Sequence, residues 1–194
     1  MRLVPWWALI SSGSAPVLLV SGWTIAALLH GPGYDPVTQT ISVLAADGAA
    51  GRWVMTGAVT ALGACHLATA WGLRAAALAG RMALGGGGLL AIVLALSPEP
   101  SSGGSLQHGS VVAMGFALMA VWPVLAVSRT GAAPWGLRPA MSIGVSALLC
   151  VCAAWFLIAL QTHGAAGVAE RVLTVAQNLW PFVVVASCLH HSRS

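Results

Sequence analysis

The stretch GVAERVLTVAQNLWP, residues 167 to 181, places one carboxylate and two amides inside an otherwise apolar run. On an α-helix, Glu170, Thr174, Gln177 and Pro181 fall at i, i+4, i+7 and i+11, a single stripe with Asn178 at its edge. At 1.5 Å per residue the two amides lie roughly 12 Å beyond the acid. A carboxylic acid on such a stripe can donate a proton to a bound molecule, and the amides can orient its polar group. The same residues also have a purely structural reading. Gln177 and Asn178 would then hydrogen-bond across helices, and Glu170 would stabilise a helix N-terminus and pair with an arginine.

Only three other acids exist, Asp35, Asp47 and Glu99. Asp35 precedes Pro36, the pattern of a helix cap. Glu99 lies in the Pro/Ser/Gly-rich loop SPEPSSGG, where water keeps it ionised. Asp47 is the nearest rival to Glu170 for a catalytic role, although Arg52, five residues on, offers it a local ion pair. Glu170 and Arg171 project about 100° apart on a helix, so the acid can face inward while the arginine reaches toward headgroups.

The elements that must position these groups follow from composition. Of 194 residues, 58% are hydrophobic and 6% charged, and the mean hydropathy is +0.89. That is the composition of an all-α integral membrane protein. The eight basic residues are all arginine and are scattered, so a net charge of +4 does not indicate a nucleic-acid partner. Six windows are long enough to span a hydrocarbon core as helix, about residues 8–29, 52–74, 80–97, 108–128, 140–161 and 168–189. Residues 1–194 therefore read as one six-transmembrane-helix domain with no soluble appendage. The first window is too long, and its charged flank too slight with Arg2 alone, for a cleaved signal peptide. Arg2, Arg74, Arg81, Arg129, Arg138 and Arg193 fall on the side of the termini, and Arg52 and Arg171 on the other. The positive-inside rule then puts both termini in the cytoplasm of a cell whose plasma membrane the chain crosses six times. Cys65, Cys150, Cys152 and Cys188 all lie within spans and read as small packing groups.

The longest outer connection, GPGYDPVTQTISVLAADGAAGRW, suggests a short interfacial helix between the first two spans. It would start at the Asp35 cap, run for about ten residues with Val37, Ile41 and Leu44 on one face, and end at Asp47-Gly48. Too short to span, it would cap the bundle.

The blocks YDPVTQTISVLAADGAAGRWVMTGAVTALGACHLATAWGLR, GRMAL, HGSVVAMGFALMAVWP and GVAERVLTVAQNLWP, in that order, resemble a large bacterial family of small six-helix integral membrane proteins catalogued as a domain of unknown function. The resemblance covers nearly the whole chain and implies the six-helix fold, with no catalytic residues to carry over. Members of that family often have an acid directly before the TIS triplet, where this chain has Gln39.

Nine tryptophans divide by level. Trp6, Trp7, Trp71, Trp122 and Trp135 suit a cytoplasmic aromatic belt. Trp23, Trp53 and Trp155 fall in the outer third and Trp180 deeper. With Tyr34 and His108 at the rim and Thr174, Gln177 and Asn178 below, they suggest a Trp-lined outer-half pocket for a lipophilic small molecule or membrane lipid. Haem is disfavoured because His66 and His108 differ in depth and no C-x-x-C-H occurs. A zinc site from His30, His108 and His163 is geometrically conceivable but has no motif spacing behind it, so neither metal nor cofactor is expected.

Three functions remain. The leading one is an intramembrane enzyme, resembling a terpene cyclase or isomerase in composition alone. In it Glu170 protonates an isoprenoid substrate and tryptophan faces stabilise the cation, with biosynthetic enzymes as candidate partners. The others are a carrier or receptor for a small amphiphile and a metal-dependent membrane hydrolase. Against transport, the sequence shows no obvious inverted repeat and few broken segments, although GGGG at 85 to 88 and Pro181 could loosen two helices.

Overall fold

The computed structural model describes residues 4–100, 105–128 and 133–192. Arg2, Arg129 and Arg193 lie outside them. Among the described residues there are six long apolar helices: α1 (Trp6–His30), α3 (Arg52–Gly72), α4 (Leu78–Leu96), α5 (Leu106–Leu125), α6 (Pro139–Gln161) and α7 (Ala166–His191). A short helix, α2 (Ile41–Ala45), lies between α1 and α3. Helices that satisfy all their own backbone groups are what a run of apolar residues can form in hydrocarbon. The chain is thus an all-α, multi-pass membrane protein.

Neighbouring helices follow the order α1, α3, α4, α5, α6, α7 and back to α1, a closed ring. Within it α7 is the most enclosed: half of its span is buried, against 22–33% for the other five. The polar stripe of α7 is on its buried side, since Glu170, Thr174, Gln177, Asn178 and Pro181 are all buried.

Lipid tails are as apolar as leucine, so packing and interhelical hydrogen bonds, more than the hydrophobic effect, hold such helices together. Where α3 crosses α4, a methyl on Gly63 would meet the carbonyl oxygen of Gly88, and one on Gly88 would meet that of Gly63. The glycine-rich run of α4 is therefore a close-packing surface. It does not break the helix, and α7 likewise runs unbroken through Pro181. Ser11 Oγ and Thr69 Oγ1, 2.9 Å apart, link α1 to α3, and Gln177 Nε2 donates to the Phe116 carbonyl at 3.0 Å, linking α7 to α5.

The interfacial helix is shorter than its sequence suggests, five residues in place of about ten. Asp35 caps a separate turn: its carboxylate accepts the Val37 N–H at 3.0 Å and the Thr38 hydroxyl at 2.6 Å, contacts that hold its pKa below the usual carboxylate value. Helix begins only after Thr40, and the chain leaves it through Gly48, whose φ of +83° is in the region glycine favours. Ile41 and Leu44 are buried as expected, against Ala26, Tyr34 and Met55, whereas Val37 is exposed.

Candidate functional site

Beneath α2 lies a partly open cavity of about 130 Å³, lined by α1, α2, α3, α4, α5 and α7. Its walls are mostly aliphatic, with Leu19, Val59, Leu62, Leu90, Leu94, Val111 and Val112, together with Met55, Met119 and Phe116. The polar groups fall into two sets: Glu170, His108, Ser42 and Thr56 toward the α2 end, and Thr174, Gln177, Asn178 and His66 below. Along α7 the wall runs from Glu170 to Asn178, eight residues or roughly 12 Å.

Two side chains, one from α7 and one from α5, meet consecutive residues of α2. Glu170 Oε2 accepts the Ile41 backbone N–H at 2.5 Å, supplying the acceptor that the first residue of a short helix lacks. His108 donates from Nδ1 to the Ser97 carbonyl at 3.0 Å, leaving Nε2, 3.2 Å from Ser42 Oγ, to accept that hydroxyl. The cavity roof is thus held by α7 and α5 together.

The outer edge of the roof is held by Arg171. Its guanidinium donates to the Tyr34 hydroxyl at 2.5 Å, the Gly167 carbonyl at 2.8 Å and the Pro36 carbonyl at 3.0 Å, and it lies 5.6 Å from the Trp23 ring and 5.7 Å from the Tyr34 ring. It forms no ion pair with Glu170. Val168 N–H donates to the Val37 carbonyl, and Gly167 leaves room for the carbonyls of Pro36 and Gln39 to sit against α7. Gln39 is not on the cavity wall; its side-chain oxygen accepts the Asp35 N–H at 2.8 Å.

Deeper in the cavity the hydrogen-bond directions are fixed by one another. Asn178 Nδ2 donates to the Thr174 carbonyl at 2.7 Å, which leaves Oδ1 to face His66 Nε2, also at 2.7 Å. His66 therefore carries its hydrogen on Nε2, and its Nδ1, a bare acceptor, is buried without a partner among the described residues. Gln177 uses its nitrogen on Phe116, and no described residue donates to its Oε1 or to Glu170 Oε1.

Of the residues singled out from sequence, Glu170, His108, Thr174, Gln177 and Asn178 come together on the cavity wall. The others do not. Trp23 and Tyr34 pack with Arg171 outside it, and no described tryptophan lines the cavity, so the pocket is not Trp-lined. Trp53 is 76% exposed with Arg52 over its ring, and Trp155 is exposed on the outward face of α6, a helix that contributes nothing to the cavity. Trp180 is buried in the cluster around Trp122, Leu73 and Val184, edge-on to Trp135 at 6.3 Å. Asp47 stands apart, half exposed and paired with Arg52 at 2.6 Å. Sequence reasoning also leaves Ser42, Met55, Phe116 and Met119 out of the site and weighs His66 as a haem ligand, which it rejects. Among the described residues no three of His, Cys, Asp or Glu come close enough to share a metal ion, and His30, His108 and His163 are not assembled.

The family model described as "Protein of unknown function (DUF998)" matches residues 14–187. No curated protein and no solved structure matches the chain. With nearly its whole length matched, the chain belongs to the DUF998 family of proteins of unknown function.

Proposed function

We propose that this protein is a carrier or receptor that takes a small lipophilic molecule with one polar end into the α2-capped cavity, where Glu170 engages the polar end. The observation that carries the reading is a cavity with aliphatic walls that includes a single carboxylate, one of whose oxygens receives no hydrogen bond from any described residue. Such a combination is a common composition for a small-molecule site. A direct test is mass spectrometry of a solvent extract from protein purified out of its native membrane. A lipophilic compound should be recovered at near-stoichiometric amount, unchanged on incubation. It should be lost in Gly115→Leu, because Gly115 lines the cavity with only Leu90 near its missing Cβ. Failure to recover any compound that Gly115→Leu removes would count against the proposal.

A second reading, acid-initiated isomerisation or cyclisation of an isoprenoid, is favoured by the same carboxylate facing an apolar space. With no described tryptophan on the wall, a developing carbocation has only Phe116 among aromatic rings, which is why this reading ranks second. Conversion of the extracted compound into a product during incubation, abolished in Glu170→Gln, would reverse the ranking.

For orientation, Arg74, Arg81 and Arg138 lie at the end of the bundle that carries the termini, against Arg52 and Arg171 at the α2 end. This bias supports a plasma-membrane protein with both termini cytoplasmic and the cavity in the outer half. In a background without native cysteines, Ala50→Cys should react with an impermeant thiol reagent added to intact cells and Ser192→Cys should not. The reverse pattern would invert the assignment.

A further inference from the structure

We infer that the molecule this cavity accepts is a lipophilic amine, held as its ammonium form with Glu170 as counter-ion. The inference rests on the proposed function and deepens it by naming the ligand's chemistry. Three acceptors, Glu170 Oε1, Gln177 Oε1 and His66 Nδ1, belong to buried residues on the wall and have no donor among the described residues. Of the three, only His66 Nδ1 is itself a fully buried atom without a partner, and each is an acceptor that a ligand's N–H can satisfy.

The charge balance points the same way. Among the described residues Glu170 is the only carboxylate on the wall and no arginine lines it, and the chain contains no lysine. The nearest cation in sequence, Arg171, is committed to Tyr34 and to the carbonyls of Pro36 and Gly167. A carboxylate in an apolar, membrane-embedded space needs either a proton or a cation. An ammonium group supplies the cation, and its several N–H donors match the excess of acceptors, while an alkyl or aryl tail fits the aliphatic remainder. Thr56, also on the wall, carries a hydroxyl that can serve either as donor or as acceptor and does not alter this balance. Neutral prenyl chains offer no donor, and carboxylate amphiphiles would set like charge against Glu170.

The test uses three eight-carbon probes that differ only in the head group, n-octylamine, n-octanol and octanoate, titrated into full-length protein in lipid nanodiscs. Each titration is referenced to empty nanodiscs to remove partitioning. The expected result is that octylamine binds roughly tenfold or more tighter than octanol and that octanoate binds weakest. Glu170→Gln should abolish the preference for octylamine over octanol. Equal binding of octylamine and octanol, or a preference for octanoate, would overturn the inference while leaving the cavity a lipophile site. No saturable binding of any probe would instead sink the proposed function itself. Should Glu170→Gln not fold, the wild-type series alone decides between these outcomes.

Discussion

The carboxylate of Glu170 and the backbone amide of Ile41 are 129 residues apart in the chain and 2.5 Å apart in space. Directly beside that contact Arg171 holds Tyr34, Pro36 and, at 3.4 Å, Gln39. The Glu-Arg pair at the head of α7 thus forms two adjacent anchors for one segment, residues 34–41, with Glu170 on the cavity side and Arg171 on the outer side. Neither anchor requires the other's charge, which leaves Glu170 Oε1 available to the cavity.

Loss of Arg171 should release that segment. Hydrogen bonds to charged groups are worth about 1.5–3 kcal/mol each, so Arg171→Gln should speed amide exchange over residues 37–41 by roughly tenfold or more. Arg52→Gln removes an exposed pair with Asp47, worth about 0–1 kcal/mol, and should leave exchange in that segment unchanged. Equal effects of the two substitutions, measured by hydrogen exchange in nanodiscs, would show that Arg171 does not anchor the roof.

Gly167 tests the same docking from the other surface. A Cβ there would collide with the backbone carbonyls of Gln39 and Pro36, atoms that cannot move without shifting the loop. Gly167→Ala should therefore destabilise by about 1–3 kcal/mol, the scale of an overpacked contact. Gly57→Ala, where the missing Cβ has nothing within 4 Å, serves as the control and should not destabilise. Thermal unfolding in detergent measures both, and a Gly167→Ala protein as stable as Gly57→Ala would contradict the docked roof.

Tyr34 is the only tyrosine, so its titration can be read from tyrosinate absorbance. Burial under the roof raises its pKa above the ordinary value of 10.0, and Arg171 offsets only part of that rise. A group with a raised folded-state pKa contributes stability that is complete below its unfolded value and lost as pH rises through the folded one. The roof should accordingly loosen only in alkali above about pH 10. A midpoint at or below that of free tyrosine would mean that Tyr34 is not buried there.

The six spans are legible in the sequence because length and apolarity alone specify them. Their expected ends fall within three residues of those observed, as with 168–189 against Ala166–His191. The buried stripe of α7 is legible for a related reason: Glu170, Thr174, Gln177 and Asn178 are polar groups in hydrocarbon and must face inward. Depth along a helix does not give direction around it. Trp155 sits at the expected level but α6 turns it outward, and Trp180 joins Trp135 in a different cluster. The interfacial helix reads too long from sequence because Asp35 can cap a turn as readily as a helix, and Thr38 completes the turn. His66 gives no sign of its place in the cavity, since its partner Asn178 is 112 residues away.

Photolabelling with a small aliphatic diazirine in nanodiscs tests most directly whether this cavity admits lipophiles. Saturable adducts are expected on the cavity residues Met55, Phe116 and Met119, suppressed by excess n-octylamine and absent in Gly115→Leu. Adducts confined to lipid-facing residues such as Leu106 and Val151, insensitive to competitor and to Gly115→Leu, would contradict a lipophile site in the cavity.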